Sequence, residues 1–363
     1  MSTLPQPASG EPTPLPAPIR TNTVVMGRQD FFSVLLRLIG IELYKIRRRA
    51  MSKVLSIIGI VIMILVFCVV SLGEIFVINA PATSFLPPQC SAIRNPQNPQ
   101  GPTGQNCLDH PPTQAELALA EQNRQDALRN TSAPLRLPTS LFVAVQVTQF
   151  LGLVLLVILA GTIVGGEYSV GTVRLMFTRG PTRVQFLLSK LGAILICLVI
   201  GFILVLLIGL ATGALLNLLS GVTSSLDFLN NGGLGHVLLY PFLAMFGLLV
   251  YTMLALFLST VGRATAAGVA GTFVWWVLES VLSGVINLIA VLNRGPVGDF
   301  LKAVPDYFIG NNITALLQNQ NPYITGGAPS QLSDLHAWLV LLVYLALFIG
   351  LSLWISVRRD ITN

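Results

Sequence analysis

The stretch VLSIIGIVIMILVFCVVSLGEIFV, from Val54 to Val77, decides what kind of protein this is. It holds one charged side chain, Glu74, in 24 residues. As a helix rising 1.5 Å per residue it would reach about 36 Å, enough to cross a hydrocarbon core of about 30 Å. Five similar runs follow, near Leu141–Val164, Leu191–Leu216, Val237–Leu258, Ala266–Val291 and Ala337–Val357. Outward from these runs the composition agrees: 53% of the 363 residues are apolar and 10% are charged, against roughly 25% charged in a soluble protein. The net charge of +6 does not indicate a nucleic-acid partner, because the basic residues are clipped between apolar runs instead of forming a solvated stripe. The expected fold class is an all-α integral membrane protein with six transmembrane helices.

The basic residues orient these spans. Alternating connections carry 15 Lys and Arg on the side of the N-terminal arm and 6 on the other, and the positive-inside rule puts the richer side in the cytoplasm. Both termini are therefore expected to be cytoplasmic in a multi-pass protein of the cell membrane. Residues 1–29, rich in Pro, Ser and Thr, read as a disordered tail. The first apolar run lies too far along the chain, and is too long, for a signal peptide. Residues 30–363 then form one six-span domain.

Residues 30–49 carry a helical period. Phe32, Leu35, Leu36, Ile39, Leu43 and Ile46 fall on one face and Ser33, Arg37, Lys45 and Arg48 on the other, with Asp30 placed to cap. Such a helix should lie along the membrane. Lys45, Arg47, Arg48, Arg49 and Lys53 would attract anionic lipid at about 1 kcal/mol per charge. An amphipathic helix packed on a protein partner reads the same way.

Of the outer connections, residues 80–139 are too long for a connector. Cys90 and Cys107, with 16 residues between them, could close a disulfide contributing about 3 kcal/mol in an oxidising compartment, or stay as two unpaired thiols. Beyond them, TQAELALAEQNRQDALRN reads as a short helix with Thr113 and Glu116 at capping-box spacing. Within residues 299–330, VPDYFIGNNITALLQ reads as a re-entrant or interfacial piece broken by Gly310. Asn130 and Asn312 match glycosylation sequons, a pattern with meaning only in a eukaryotic secretory route.

The chain lacks a Walker A motif, an H-E-x-x-H and a C-x-x-C, so nothing in it is expected to hydrolyse nucleotide or to bind a cofactor or metal. His110, His236 and His336 fall in separate outer loops and read as solvated side chains. Glu279, in WWVLESVLSG, sits about halfway along the fifth span. An intramembrane carboxylate is expensive. It either belongs to the translocation path or a dimer contact, or is a neutral acid bonded to a hydroxyl or already in an outer vestibule. Glu74, nearer a span end, should snorkel, and Trp275 and Trp276 should pack between helices or line a cavity.

Residues 165–190, GGEYSVGTVRLMFTRGPTRVQFLLSK, are the most informative connection. They read as a helix end at Gly165-Gly166, an amphipathic segment from Tyr168 to Phe177, and a stop at Gly180-Pro181, with Pro181 opening the next helix. With four basic residues and one acid, this is a positive knob at the membrane surface. A solvated turn obeying the topology rule would look alike.

That run resembles the signature of the ATP-binding-cassette (ABC) type-2 permeases: a small-residue pair, Glu, Gly-Thr, a short apolar-basic helix, Pro, a Ser/Thr-Arg pair and a later Lys. The matching positions are Glu167, Gly171, Thr172, Arg174, Pro181, Thr182, Arg183 and Lys190. IELYKIRRRAMSK, with Glu42, Lys45, Arg47 and Arg48, resembles the family's amphipathic elbow helix, and the terminal VRRDI resembles its usual ending. The resemblance implies a type-2 ABC exporter-like fold and a permease that dimerises with itself or a related chain. It also implies that separate ABC ATPase subunits carry ATP and Mg and dock on the elbow and on the knob from Tyr168 to Thr178. Glu167 would pair with Arg174 or with a basic residue of the elbow, while Arg183 and Lys190 would anchor the third span. The long first outer loop departs from the family pattern, so no substrate carries over. Two other functions stand beside this one. An ion-coupled carrier would need several midplane charges where only Glu279 is found, and a non-transporting sensor would use the same ATPase partner.

Overall fold

The computed structural model describes residues 30–86, 111–136, 139–170, 182–220, 233–292, 295–324 and 326–358. Cys90, Cys107, His110, Gly171, Thr172, Arg174 and Pro181 lie outside them, as does the N-terminal tail. Among the described residues, six helices are long and apolar enough to cross a membrane. The fold is all-helical and six-span, as the apolar runs require.

In chain order the first elements are α1 (Phe31–Arg48), α2 (Ala50–Asn79), α3 (Gln114–Ser132), α4 (Thr139–Val170) and α5 (Arg183–Ser220). They are followed by α6 (Gly233–Gly262), α7 (Thr265–Leu292), α8 (Pro296–Ala303), α9 (Ile309–Gln318), α10 (Asn321–Ile324) and α11 (Asp334–Arg358). The spans are α2, α4, α5, α6, α7 and α11. Helix α1, the C-terminal end of α4 and the first turn of α5 meet at one end of the bundle, here termed the basic end. Helices α3, α8, α9 and α10 gather at the far end.

Helix α6 is the centre. It packs on α4, α7, α9 and α11, and 67% of its most apolar window is buried, against 11% for α7 and 17% for α11. Spans with so little protein cover turn most of their Leu, Ile and Val outward, as lipid-facing helices do.

Small residues let the helices approach. Gly161 and Gly165 lie one turn apart on α4, and a Cβ on Gly165 would stand 2.5 Å from the carbonyl carbon of Ala264. Gly268 on α7 faces Ala255 O and Ser259 of α6. Between α6 and α7 the chain reverses within Arg263 and Ala264, with Arg263 at φ 51°. Close backbone approach of this kind substitutes for the hydrophobic drive that lipid does not supply.

Several local expectations change. Helix α4 runs through Gly165-Gly166 to Val170 instead of ending there, because Gly165 is wedged against Ala264 and the start of α7, where packing outweighs its low helix propensity. Helix α5 opens at Arg183; the expected opening at Pro181 lies outside the described residues. Thr182 and Gln185 form its cap: the Thr182 amide donates to Gln185 Oε1 at 3.0 Å and the Gln185 amide to Thr182 Oγ1 at 3.2 Å. Asp30 precedes α1, but its side chain makes no capping bond; Ser33 Oγ donates to its carbonyl at 2.8 Å.

At the far end, α3 begins with the capping box of Thr113 and Glu116 and packs on α2, where Arg124 Nη1 donates to Ile78 O at 3.4 Å. Glu74 does not snorkel. It is 1% exposed, on the same face of α2 as the buried Phe67 and Ser71. Gly310 does not break the re-entrant piece; it lies in the first turn of α9, and Asn312 is fully buried, its amide donating to Asp306 O and Phe308 O at 2.7 Å each. That side chain is structural and no sugar acceptor. Trp276 packs on the core while Trp275 is 39% exposed.

Gly165→Val should lower the melting temperature of the purified protein, because overpacking typically costs about 1–3 kcal/mol and the obstructing atoms are backbone. Gly73→Val is the matched control, with nothing within 4 Å of its Cβ position. Equal melting temperatures for the two variants would contradict the packing described.

Candidate functional site

Four charged side chains from three helices converge at the basic end. Glu42 and Lys45 come from α1, Glu167 from the last turns of α4, and Lys190 from the third turn of α5. Lys45 Nζ donates to Glu42 Oε1 at 3.0 Å and to Glu167 Oε1 at 3.1 Å. Lys190 Nζ lies 2.6 Å from Glu167 Oε2 and 3.6 Å from Glu42 Oε1. It also donates to Ile163 O at 3.0 Å and stands 4.7 Å from the centroid of the Phe186 ring. Signs alternate around this tetrad and its net charge is zero.

Burial separates it from surface ion pairs. Lys190 is fully buried, Glu42 4% exposed and Glu167 7% exposed; only Lys45 reaches solvent, with 30% of its side chain exposed. Taking an ammonium out of water costs several kcal/mol, which is offset only where opposite charges and hydrogen bonds surround it. Here two carboxylates, a backbone carbonyl and an aromatic face do so. Burial alone would lower the pKa of Lys45, but the hydrogen bond and charge of Glu42, with Glu167 behind them, hold it above the usual lysine range.

The period of α1 places Lys45 on its wet face, yet the structure turns it inward beside Glu42 and Ile46. The inward stripe is Leu35, Leu38, Ile39, Glu42 and Ile46, and the large exposed residues include Phe32, Leu36 and Tyr44. Apolar residues surround much of α1, so periodicity alone could not choose the packed face. Arg47 and Arg48 remain exposed, and Arg48 lies over the Tyr44 ring at 5.2 Å.

Further bonds join the same three helices. Arg49 Nη1 donates to Thr162 O of α4 at 3.3 Å, and Gln185 Nε2 to Phe31 O of α1 at 3.4 Å. Arg183 Nη1 donates to Val357 O at 2.9 Å, tying the start of α5 to the end of α11. Glu167 and Lys190 flank the segment 171–181, so their ion pair closes its base, and α1 is bound to both sides of that base. Of the residues singled out in sequence, Glu42, Lys45, Glu167 and Lys190 are brought together, Arg183 bonds the end of α11 instead, and Arg47 and Arg48 are left outside. Tyr168 belongs to α4.

Glu279 lies elsewhere, at mid-height on α7. It is 6% exposed, and Oε2 accepts from Tyr251 Oη at 3.1 Å. The backbone amides of Ile309 and Gly310 face its carboxylate. Helix α9 has no capping side chain of its own, so an acid from another span sits where a capping residue would, at the positive end of the helix dipole. Sequence gives no sign of this, since the partners are 30 residues apart and the contact depends on α9 folding back into the bundle.

Among the described residues, no group of His, Cys, Asp or Glu is arranged to hold a metal ion. His236 bonds Gln320 and stacks on Tyr323, and His336 bonds Asp306 O.

A family model described as ABC-2 family transporter protein matches residues 36–361. With nearly the whole chain covered, the chain belongs to that family and is a membrane transport component. No curated protein matches it.

The tetrad makes a signed prediction. Glu167→Gln, or Lys190→Met, leaves a buried charge undercompensated and should each cost about 3–5 kcal/mol. The double variant keeps the neutral Glu42–Lys45 pair and should be more stable than either single one. Thermal unfolding of the four proteins measures this directly; additive losses would show that Glu167 and Lys190 do not act as a pair.

Proposed function

We propose that this ABC-2 family protein is the membrane-spanning permease of an ATP-driven exporter, dimeric when active and worked by separate ATPase subunits that carry ATP and Mg. The observation that carries the reading is the buried tetrad, which fastens α1 to both sides of the base of segment 171–181. An ATPase subunit pressing on that segment would move α1, α4 and α5 together, because breaking any one link strands a charge in a dry site. Tyr168, Gly171, Thr172, Arg174 and Pro181 would supply the contact surface, with Glu167, Arg183 and Lys190 as its footing.

This reading puts the basic end, and with it both termini, in the cytoplasm, where 15 of the 21 Lys and Arg residues collect. Arg47 and Arg48, exposed beside apolar side chains of α1, suit a helix lying against anionic headgroups.

The chain purified alone should hydrolyse no ATP. Copurified with a separately encoded ATPase bearing a Walker A motif, it should yield a hydrolysing complex. Replacing residues 171–181 with a Gly/Ser linker of equal length should abolish that complex while leaving the permease inserted. Hydrolysis by the chain alone, or an unaffected complex after the replacement, would contradict the proposal.

A further inference from the structure

Beyond Glu279, α7 presents a polar stripe toward the far end. Ser283 lies four residues on and Asn287 four more, one above the other on one helix face. Asn311 of α9 reaches across to this stripe, its amide donating to Ser283 Oγ at 3.1 Å and to Pro305 O at 2.9 Å. Above that bridge is an open cleft of about 830 Å³ bordered by α7, α8, α9 and residues 305–306 and 329–332. Its volume lies within the range of small-molecule sites, about 300–1,000 Å³. Its wall is unlike the lipid-facing surface around it, with Asn287, Asn311, Thr314 and Gln318 among the lining side chains.

The charges on the wall select a ligand class. Asp299, Lys302 and Asp306 line the cleft. Lys302 lies 3.5 Å from Asp299 and is neutralised by it. Asp306 has no cationic partner among the described residues. The nearest imidazole, His336, bonds the Asp306 carbonyl at 3.0 Å and not its carboxylate, and Asn312 holds the same carbonyl at 2.7 Å. Asp306 is thus fixed in place by its backbone, while no cation among the described residues lies within ion-pair distance of its side chain. Among the described residues, two carboxylates against one ammonium give the wall a net negative charge, which disfavours anions.

We propose that this far-end cleft is a binding site for a hydrophilic organic cation, with Asp306 as the charge that recognises an ammonium or guanidinium group and the amide and hydroxyl side chains of α7 and α9 as hydrogen-bonding partners. Binding at this site requires neither the ATPase nor the tetrad, so it stands or falls apart from the coupling reading.

Calorimetric titration of the full chain in detergent tests the site, with spermidine as the probe and tricarballylate and 1,8-octanediol as its anionic and neutral counterparts. Spermidine should bind saturably and the other two should not. Asp306→Asn keeps the backbone bonds and should weaken spermidine binding at least fivefold without changing the melting temperature. Thr314→Trp, at an exposed position of the wall, should block the cleft and abolish binding. Absence of saturable spermidine binding to the unmodified protein, equal binding by Asp306→Asn, or comparable binding of tricarballylate would overturn the proposal.

Discussion

An ammonium group with no access to water, Lys190 Nζ, sets the constraint on which the basic end depends. The bundle could have kept a leucine there at no electrostatic cost. Holding a lysine obliges the fold to bring carboxylates from two other helices, a carbonyl from α4 and the ring of Phe186 to the same point. Replacing buried ion pairs with apolar residues is often neutral or stabilising, so such a group argues for specificity of arrangement over stability. What it specifies is the position of α1. A helix outside the six spans has no register set by crossing a bilayer, and the pairing of Glu42 and Lys45 with residues of α4 and α5 provides one.

The middle of the bundle uses the same physics differently. There the buried acid is Glu279, and its partners are a tyrosine hydroxyl and the amides of a helix N-terminus in place of ammonium groups. The short helix α9 can thereby begin inside the bundle without a capping residue, packing Ile309, Ile313 and Leu316 into the core. Both sites thus keep irregular or charged elements in an apolar setting by surrounding them with opposite charges or hydrogen-bond donors. The central span α6 touches both halves, since it packs on α4, which carries Glu167, and supplies Tyr251 to Glu279.

The six spans were legible because length and apolar content alone define them, and the capping box at Thr113 was legible because its four residues interact locally. Glu167 and Lys190 were legible as family positions, and the pairing of Glu167 with a basic residue of α1 was among the alternatives. The tetrad itself was not, because ion pairs across 23 to 148 positions depend on how helices pack, which periodicity does not encode. Lys45 illustrates the limit. Its place in the helical period assigned it to the wet face, and only the presence of Glu42 and Glu167 brings it inward. The end of α4 failed for the opposite reason: Gly165-Gly166 is a local stop signal that close packing on α7 overrides.

If α1 is fastened to the base of segment 171–181, the two must move as one body. Pulsed electron paramagnetic resonance between nitroxides at Arg37→Cys on α1 and Val184→Cys on α5 measures their separation in the complex with the ATPase. A single narrow distance distribution, unchanged between nucleotide-free and ATP-bound states and broadened by Glu167→Gln with Lys190→Met, is the predicted result. A shift of about 5 Å, one helical turn, on ATP binding in the otherwise unmodified protein would contradict the claim that the tetrad holds them together.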